Sequence, residues 1–206
     1  MQVETKRIVV GISGSTGSIY GIRLLEELRR SGGVESHLVI SAAAKRTLTE
    51  ETDFSVKQVE ALADHVHDDR DIGAAIASGS FRTAGMVIAP CSVKTVAALA
   101  SGYCETLLAR AGDVSLKEGR PLVVLVRETP LHRGHLRQML ALAEAGGIIM
   151  PPIPAFYHRP QTIDDLVAHT IGRVLDRIGV PNDLVSEWTG SGRPAARPFD
   201  PPVRRA

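Results

Sequence analysis

Cysteine is nearly missing from this chain of 206 residues, which has only Cys91 and Cys104. They stand apart with no CxxC pair, so neither a disulfide framework nor a zinc cluster is indicated. Net charge is also almost missing, at +1. Such balance gives no electrostatic reason to expect nucleic acid or a charged membrane surface as partner. No apolar run reaches the roughly 18 residues of a membrane span. The start, MQVETKRIVVGIS, carries acid and base before a short strand and lacks a signal peptide's apolar core and cleavage site. A reduced, cytoplasmic protein is expected. What the chain does have is 44% hydrophobic and 23% charged residues, enough for one domain with a full core. That domain is expected over residues 1–188. From Thr189 the sequence is rich in Gly, Pro and Arg without periodicity, and a disordered tail is expected.

Apolar runs alternate with helical patterns. Ile8–Ile12, Ser36–Ile40, Gly85–Ala89, Leu122–Val126 and Gly147–Met150 read as strands. Ile19–Arg30, Val93–Ser101, Glu105–Glu118 and His132–Ala145 read as helices between them. Short Val- and Ile-rich strands separated by helices predict an α/β three-layer sandwich around a mostly parallel sheet, Rossmann-like or flavodoxin-like. A last helix over 162–179 is capped by Thr162, with Ile163, Leu166, Val167, Thr170, Ile171, Val174, Leu175 and Ile178 in one stripe.

Four segments carry chemistry. The first strand leads into Gly11-Ile-Ser-Gly14-Ser-Thr-Gly17-Ser-Ile-Tyr-Gly21 and a helix. Glycines admit an anion close to the backbone, and the helix's free N–H groups supply donors. The spacing is neither the dinucleotide GxGxxG nor a P-loop. The second strand exits into Ser41, where a nicotinamide-binding fold usually presents a carboxylate to the ribose. That weighs against NAD and leaves a mononucleotide such as FMN open. The third exits into Cys91-Ser92-Val93-Lys94-Thr95, whose hydroxyls and N–H groups suit the same ligand, although an N-cap by Ser92 explains much of it.

The fourth begins at PLVVLVRETPLH, residues 121–132, where a doubly buried strand runs into Arg127 and Glu128. The carboxyl end of such a strand is where ligands bind. MPPIPAFYHRP, residues 150–160, follows, with four prolines stiffening the backbone around Tyr157. Phenol, cations and stiff backbone suggest a site for a phosphorylated, partly apolar ligand. Taken alone, Glu51 reads as a solvated helix-end carboxylate and Lys117 as a surface cation sharing a helix face with Arg110. Arg173 flanks the last helix's stripe. His132 and His135 form an HxxH without nearby acidic ligands and read as a helix face; no metal is expected. There is no GxSxG.

Lined up, GISGSTGSIYG, Ser41, EETD, ASGSF, MVIAPCSVKT, ARAGDVSLKEGRPLVVLVRETPLH and GGIIMPPIPAFYHRPQTIDDLV resemble a flavin prenyltransferase of the UbiX family over nearly the whole chain to Trp188. The resemblance implies a Rossmann-like homo-oligomer, typically a dodecamer, with active sites at subunit junctions. It implies FMN, dimethylallyl phosphate as second substrate, and prenylated FMN as product for a UbiD-type decarboxylase. Gly14, Ser15, Thr16, Ser41, Ser92, Val93, Lys94, Thr95 and Arg127 match the family's FMN positions. Tyr157 and Arg173 match those holding the prenyl phosphate, with Lys117, Arg127 and Glu128 around it. Glu51 and Thr16 match a carboxylate–hydroxyl pair that handles protons, and Trp188 an aromatic near the site. One departure is Gly14-Ser-Thr-Gly17, where the family commonly reads Gly-Ala-Ser-Gly; Thr16 keeps the hydroxyl and adds a methyl.

Two rivals share these features in part. A decarboxylase of the phosphopantothenoylcysteine type carries an Asn-containing PASANT-like loop and a catalytic His. Here the loop is Pro90-Cys-Ser-Val-Lys-Thr, the sole asparagine is Asn182, and His65 and His67 sit in another context. A non-catalytic FMN carrier would not need Lys117, Glu128, Tyr157 and Arg173 together.

Overall fold

A computed structural model describes residues 5–185. Trp188 and the tail expected to be disordered lie outside the described residues. β1 (Lys6–Ile12), β2 (Val34–Ile40), β3 (His65–His67), β4 (Gly85–Cys91), β5 (Leu122–Val126) and β6 (Ile148–Ile149) form one sheet in the order β3-β2-β1-β4-β5-β6. All its pairings are parallel, so the expected mostly parallel sheet is wholly parallel among the described residues. This is the doubly wound order of the Rossmann fold. The helices are α1 (Ser18–Ser31), α2 (Ala42–Glu51), α3 (Val56–Glu60), α4 (Val93–Ser101), α5 (Leu107–Lys117), α6 (Arg133–Glu144) and α7 (Ile163–Arg177). None is long and apolar enough to cross a membrane.

The strands are apolar at successive positions because both faces are covered. Ile8, Val10 and Ile12 of β1 pack with Ile22, Leu25, Ile171 and Val174 from α1 and α7. Val9 points the other way, into a second core with Met86, Ile88, Val96, Leu99, Leu108 and Leu142, built on α4, α5 and α6. β5 divides likewise, Val123 and Leu125 to one side, Leu122, Val124 and Val126 to the other. Cys91 ends β4 fully buried in the second core.

α7 is capped as expected, Thr162 Oγ1 accepting from Asp165 N at 3.1 Å. Its stripe is narrower than the sequence suggests, since Ile163 is 78% exposed. The first turn overhangs the sheet instead of lying on it. β3 and α3 are additional to the elements that the sequence pattern predicts.

Candidate active site

The chain reverses direction across the sheet between β1 and β4, so a crevice opens outside their carboxyl ends. Ser13 stitches its floor: its hydroxyl donates to Pro90 O at 3.0 Å and accepts from Ser92 N at 2.7 Å. Ser41 N reaches back to Ile12 O at 3.0 Å. Two helices begin at this edge. Ser41 caps α2 by accepting from Ala44 N at 3.2 Å, and Ser92 caps α4 by accepting from Thr95 N at 3.3 Å. The N-cap reading of Ser92 therefore holds, yet Ser92, Lys94 and Thr95 at the start of α4 still line the crevice.

Between these helix ends lies a cavity of about 420 Å³, a size usual for a small-molecule site. Gly14, Ser41, Ser92, Lys94 and Thr95, all picked from sequence, line it. Gly14 has no room for a side chain, since a Cβ there would stand 2.5 Å from Ala43 Cβ. Val93 opens α4 beside them. The Ser15 hydroxyl is buried without a protein partner, an unmet polar group of the kind a ligand satisfies. Asp69, Tyr103, Glu105 and Thr106 also line the cavity and were missed. Asp69 follows β3, so recognising that strand would have placed it at this edge; its carboxylate and carbonyl accept from Leu108 N and Leu107 N at 2.9 and 2.8 Å.

The glycine loop departs from its expected role. α1's first N–H groups are not open to an anion: Gly17 N and Ser18 N donate to Glu51 Oε2 at 2.8 and 3.2 Å. Glu51 is thus no idle carboxylate at the end of α2. Burial by itself would raise its pKa, but hydrogen bonds from the Thr16 hydroxyl and the Gly17 and Ser18 amides outweigh this and hold it below the ordinary value. Glu51 and Thr16 are brought together. Because the folded pKa is the lower one, the charge stabilises the fold above the unfolded pKa, and that contribution is lost as pH falls through the folded pKa. Glu51→Gln is expected to melt below the wild type at neutral pH, with the gap closing on acidification. A gap that widens toward acid would contradict this role; scanning calorimetry across pH decides.

Arg127 and Glu128 leave β5 at the same edge. Arg127 N donates to Cys91 O at 3.0 Å; burial raises the pKa of Tyr20, and the Arg127 charge opposes that rise. Glu128 accepts from Thr129 N at 3.1 Å. Tyr157, in the loop before α7, and Arg173, on α7, belong to a second group. Tyr157 Oη meets His169 Nε2 at 2.9 Å, one helical turn before Arg173, which pairs with Asp176 at 3.1 Å.

Lys117 belongs to neither group. α5 starts beside the cavity and runs 11 residues, about 16 Å, toward the opposite edge of the sheet. There Lys117 pairs with Glu118, while Arg120 anchors the turn to Gly79 O and Phe81 O at 2.6 and 2.9 Å. A lysine side chain does not span the return distance, so within one chain Lys117 does not meet the cavity.

A switch-point crevice lined by helix N-termini and hydroxyls, with Ser41 in place of an acid, defines a mononucleotide-binding α/β protein. The family model described as Flavoprotein matches residues 1–175. Flavin prenyltransferase UbiX of Escherichia coli (strain K12) is 58% identical over 188 residues, which cover 90% of this chain and 100% of that protein. A solved structure of AnUbiX in complex with FMN and dimethylallyl pyrophosphate superposes with a TM-score of 0.88 at 48% identity, covering 90% of this chain and 98% of that one. A dodecameric FMN-dependent UbiX-like decarboxylase from Escherichia coli O157:H7 gives 0.87 at 48%, covering 89% and 100%. The chain belongs to the UbiX family of flavin prenyltransferases.

Proposed function

We infer that this protein transfers a dimethylallyl group from dimethylallyl phosphate to reduced FMN, yielding prenylated FMN for a UbiD-type decarboxylase. The observation that carries the reading is the cavity at the β1–β4 switch point, with family-matched residues on its walls. The donor set fits FMN: amides at the starts of α2 and α4, the Ser15, Ser41, Ser92 and Thr95 hydroxyls and the Lys94 ammonium suit a phosphate and polyol. Bound reduced flavin supplies the nucleophilic N5 and C6.

The chain's own task is the rest. A departing phosphate needs cations and donors placed in advance, a role for Arg127, Arg173, Tyr157 and Lys117. Glu51, ionised at neutral pH, accepts a proton more readily than it donates one. Thr16, hydrogen-bonded to it, holds the carboxylate and is the route by which a proton would reach it; Glu128 follows Arg127 at the exit of β5. Since Lys117 is remote from its own cavity, this site is completed by neighbouring subunits, in keeping with a dodecamer like that of the UbiX-like relative. The Ile153, Phe156 and Ile163 side chains are largely exposed, as a surface covered by another copy would be.

Mass spectrometry of the flavin after anaerobic incubation with reduced FMN and dimethylallyl phosphate tests the reading. A gain of one five-carbon unit on FMN is expected. Unmodified flavin on a flavin-loaded protein would overturn it in favour of a carrier or of a decarboxylase, the activity given for one relative.

A further inference from the structure

The outer edge of the sheet, away from the switch point, gathers side chains that the transferase chemistry does not use. β2 places Glu35 and His37 on one face, and the parallel register sets His65 of β3 opposite His37. Glu35 Oε1 lies 2.9 Å from His37 Nε2 and 3.6 Å from His65 Nε2. The three donor atoms all fall within 4.8 Å of one another. In a tetrahedral zinc site with bonds of about 2.1 Å, neighbouring ligand atoms stand roughly 3.4 Å apart. The two separations from Glu35 are near that spacing, and because the His37 and His65 rings are stacked 4.7 Å apart, the half-exposed His65 ring turns to bring its lone pair onto the ion.

We propose that Glu35, His37 and His65 bind one first-row divalent metal ion of the zinc type, with water in the fourth position. Two imidazoles and a carboxylate suit zinc and its neighbours, not magnesium or calcium. A supporting shell is already in place. His67 Nε2 stands 3.1 Å from His37 Nδ1; when an ion replaces the proton that Nε2 shares with Glu35, His37 can donate from Nδ1 to His67 and offer its Nε2 lone pair to the ion, the arrangement metal-bound histidines ordinarily show. Arg7 shares Glu35 Oε1 at 3.1 Å and is the cation the metal displaces from that oxygen. Its guanidinium lies over Phe81, 4.7 Å from the ring centre, and retains that contact. His37 is buried while His65 is 53% exposed, which leaves a path for entry. The ion ties β3, a strand of three residues, to β2. β3 leads within two residues to Asp69 on the cavity wall. Sequence spacing points to no metal, since Cys91 and Cys104 form no CxxC pair and His132 and His135 lack acidic neighbours; the residues proposed here are joined by strand register, which spacing does not reveal.

The test uses the full chain without an affinity tag, stripped with chelator and titrated with ZnCl2 by calorimetry. Uptake of one Zn²⁺ per chain is expected, weakened by about tenfold or more in His65→Ala and in Glu35→Gln, and unaltered in His132→Ala. Co²⁺ should give the intense visible absorption of four-coordinate geometry in the wild type and lose it in His65→Ala. Absence of stoichiometric uptake, or uptake that survives both Glu35→Gln and His65→Ala, would overturn the proposal. If either of those variants fails to fold, the other alone decides.

Discussion

Lys117→Ala and Glu51→Gln subunits, each inactive when assembled alone, are expected to recover activity when co-assembled. Removing one preorganised cation from a leaving phosphate costs about 2.7–4 kcal/mol of barrier, some 10²- to 10³-fold in rate. Losing a proton-handling carboxylate costs roughly 10²- to 10⁴-fold. The argument for rescue is geometric. Glu51 holds Gly17 and Ser18 at the carboxyl edge of the sheet, whereas Lys117 ends α5 at the opposite edge beside Glu118. A site using both draws them from different chains. In a one-to-one mixed assembly about a quarter of such junctions would pair an intact Glu51 with an intact Lys117. Turnover near that fraction of wild type is the expected readout, with the unmixed variants as baselines. Baseline activity in the mixture would place both residues in one chain, against the geometry. Full activity of Lys117→Ala alone would remove that residue from the site.

Gly21→Val is expected to lower the melting temperature by roughly 4–8 °C, taking about 2 kcal/mol for overpacking in a domain of this size. Gly21 lies where α1 crosses the end of β4. A Cβ there would stand 2.4 Å from Ala89 O and 2.8 Å from Ile12 Cδ1. The carbonyl is backbone and does not step aside, so the helix must. A β-branched residue gains little helix propensity to offset this. Because α1 carries the Gly17 and Ser18 amides that hold Glu51, FMN affinity should fall with stability. Differential scanning calorimetry and flavin fluorescence titration read the two effects. An unshifted melting temperature would mean that α1 moves off β4 without strain.

How much of this was legible from residues alone depended on whether local pattern or long-range pairing set each feature. β5 and α4 are found at the expected residues, because an apolar run between turn signals and a Ser-capped helical period are local statements. β3 was not found: His-Val-His is short and polar, and it is a strand only because β2 offers it an edge. Gly14, Ser41 and Ser92 could be placed at one edge from the alternation of strand and helix. That Glu51 takes the α1 amides could not, since it depends on how α2 returns its last residue to the glycine loop. Lys117 shows the converse. Its helix was expected correctly, but a helical period does not say which end of the helix faces the crevice.

An allylic phosphate is an alkylating agent, and thiolates are among the best traps for one. Cys91 stands where β4 opens into the crevice, yet its side chain turns into the second core with no exposure. Burial pushes its thiol far above the ordinary range. It stays protonated and out of reach, so this sulfur at the mouth of β4 does not compete with the flavin for the prenyl group or consume the protein by self-alkylation.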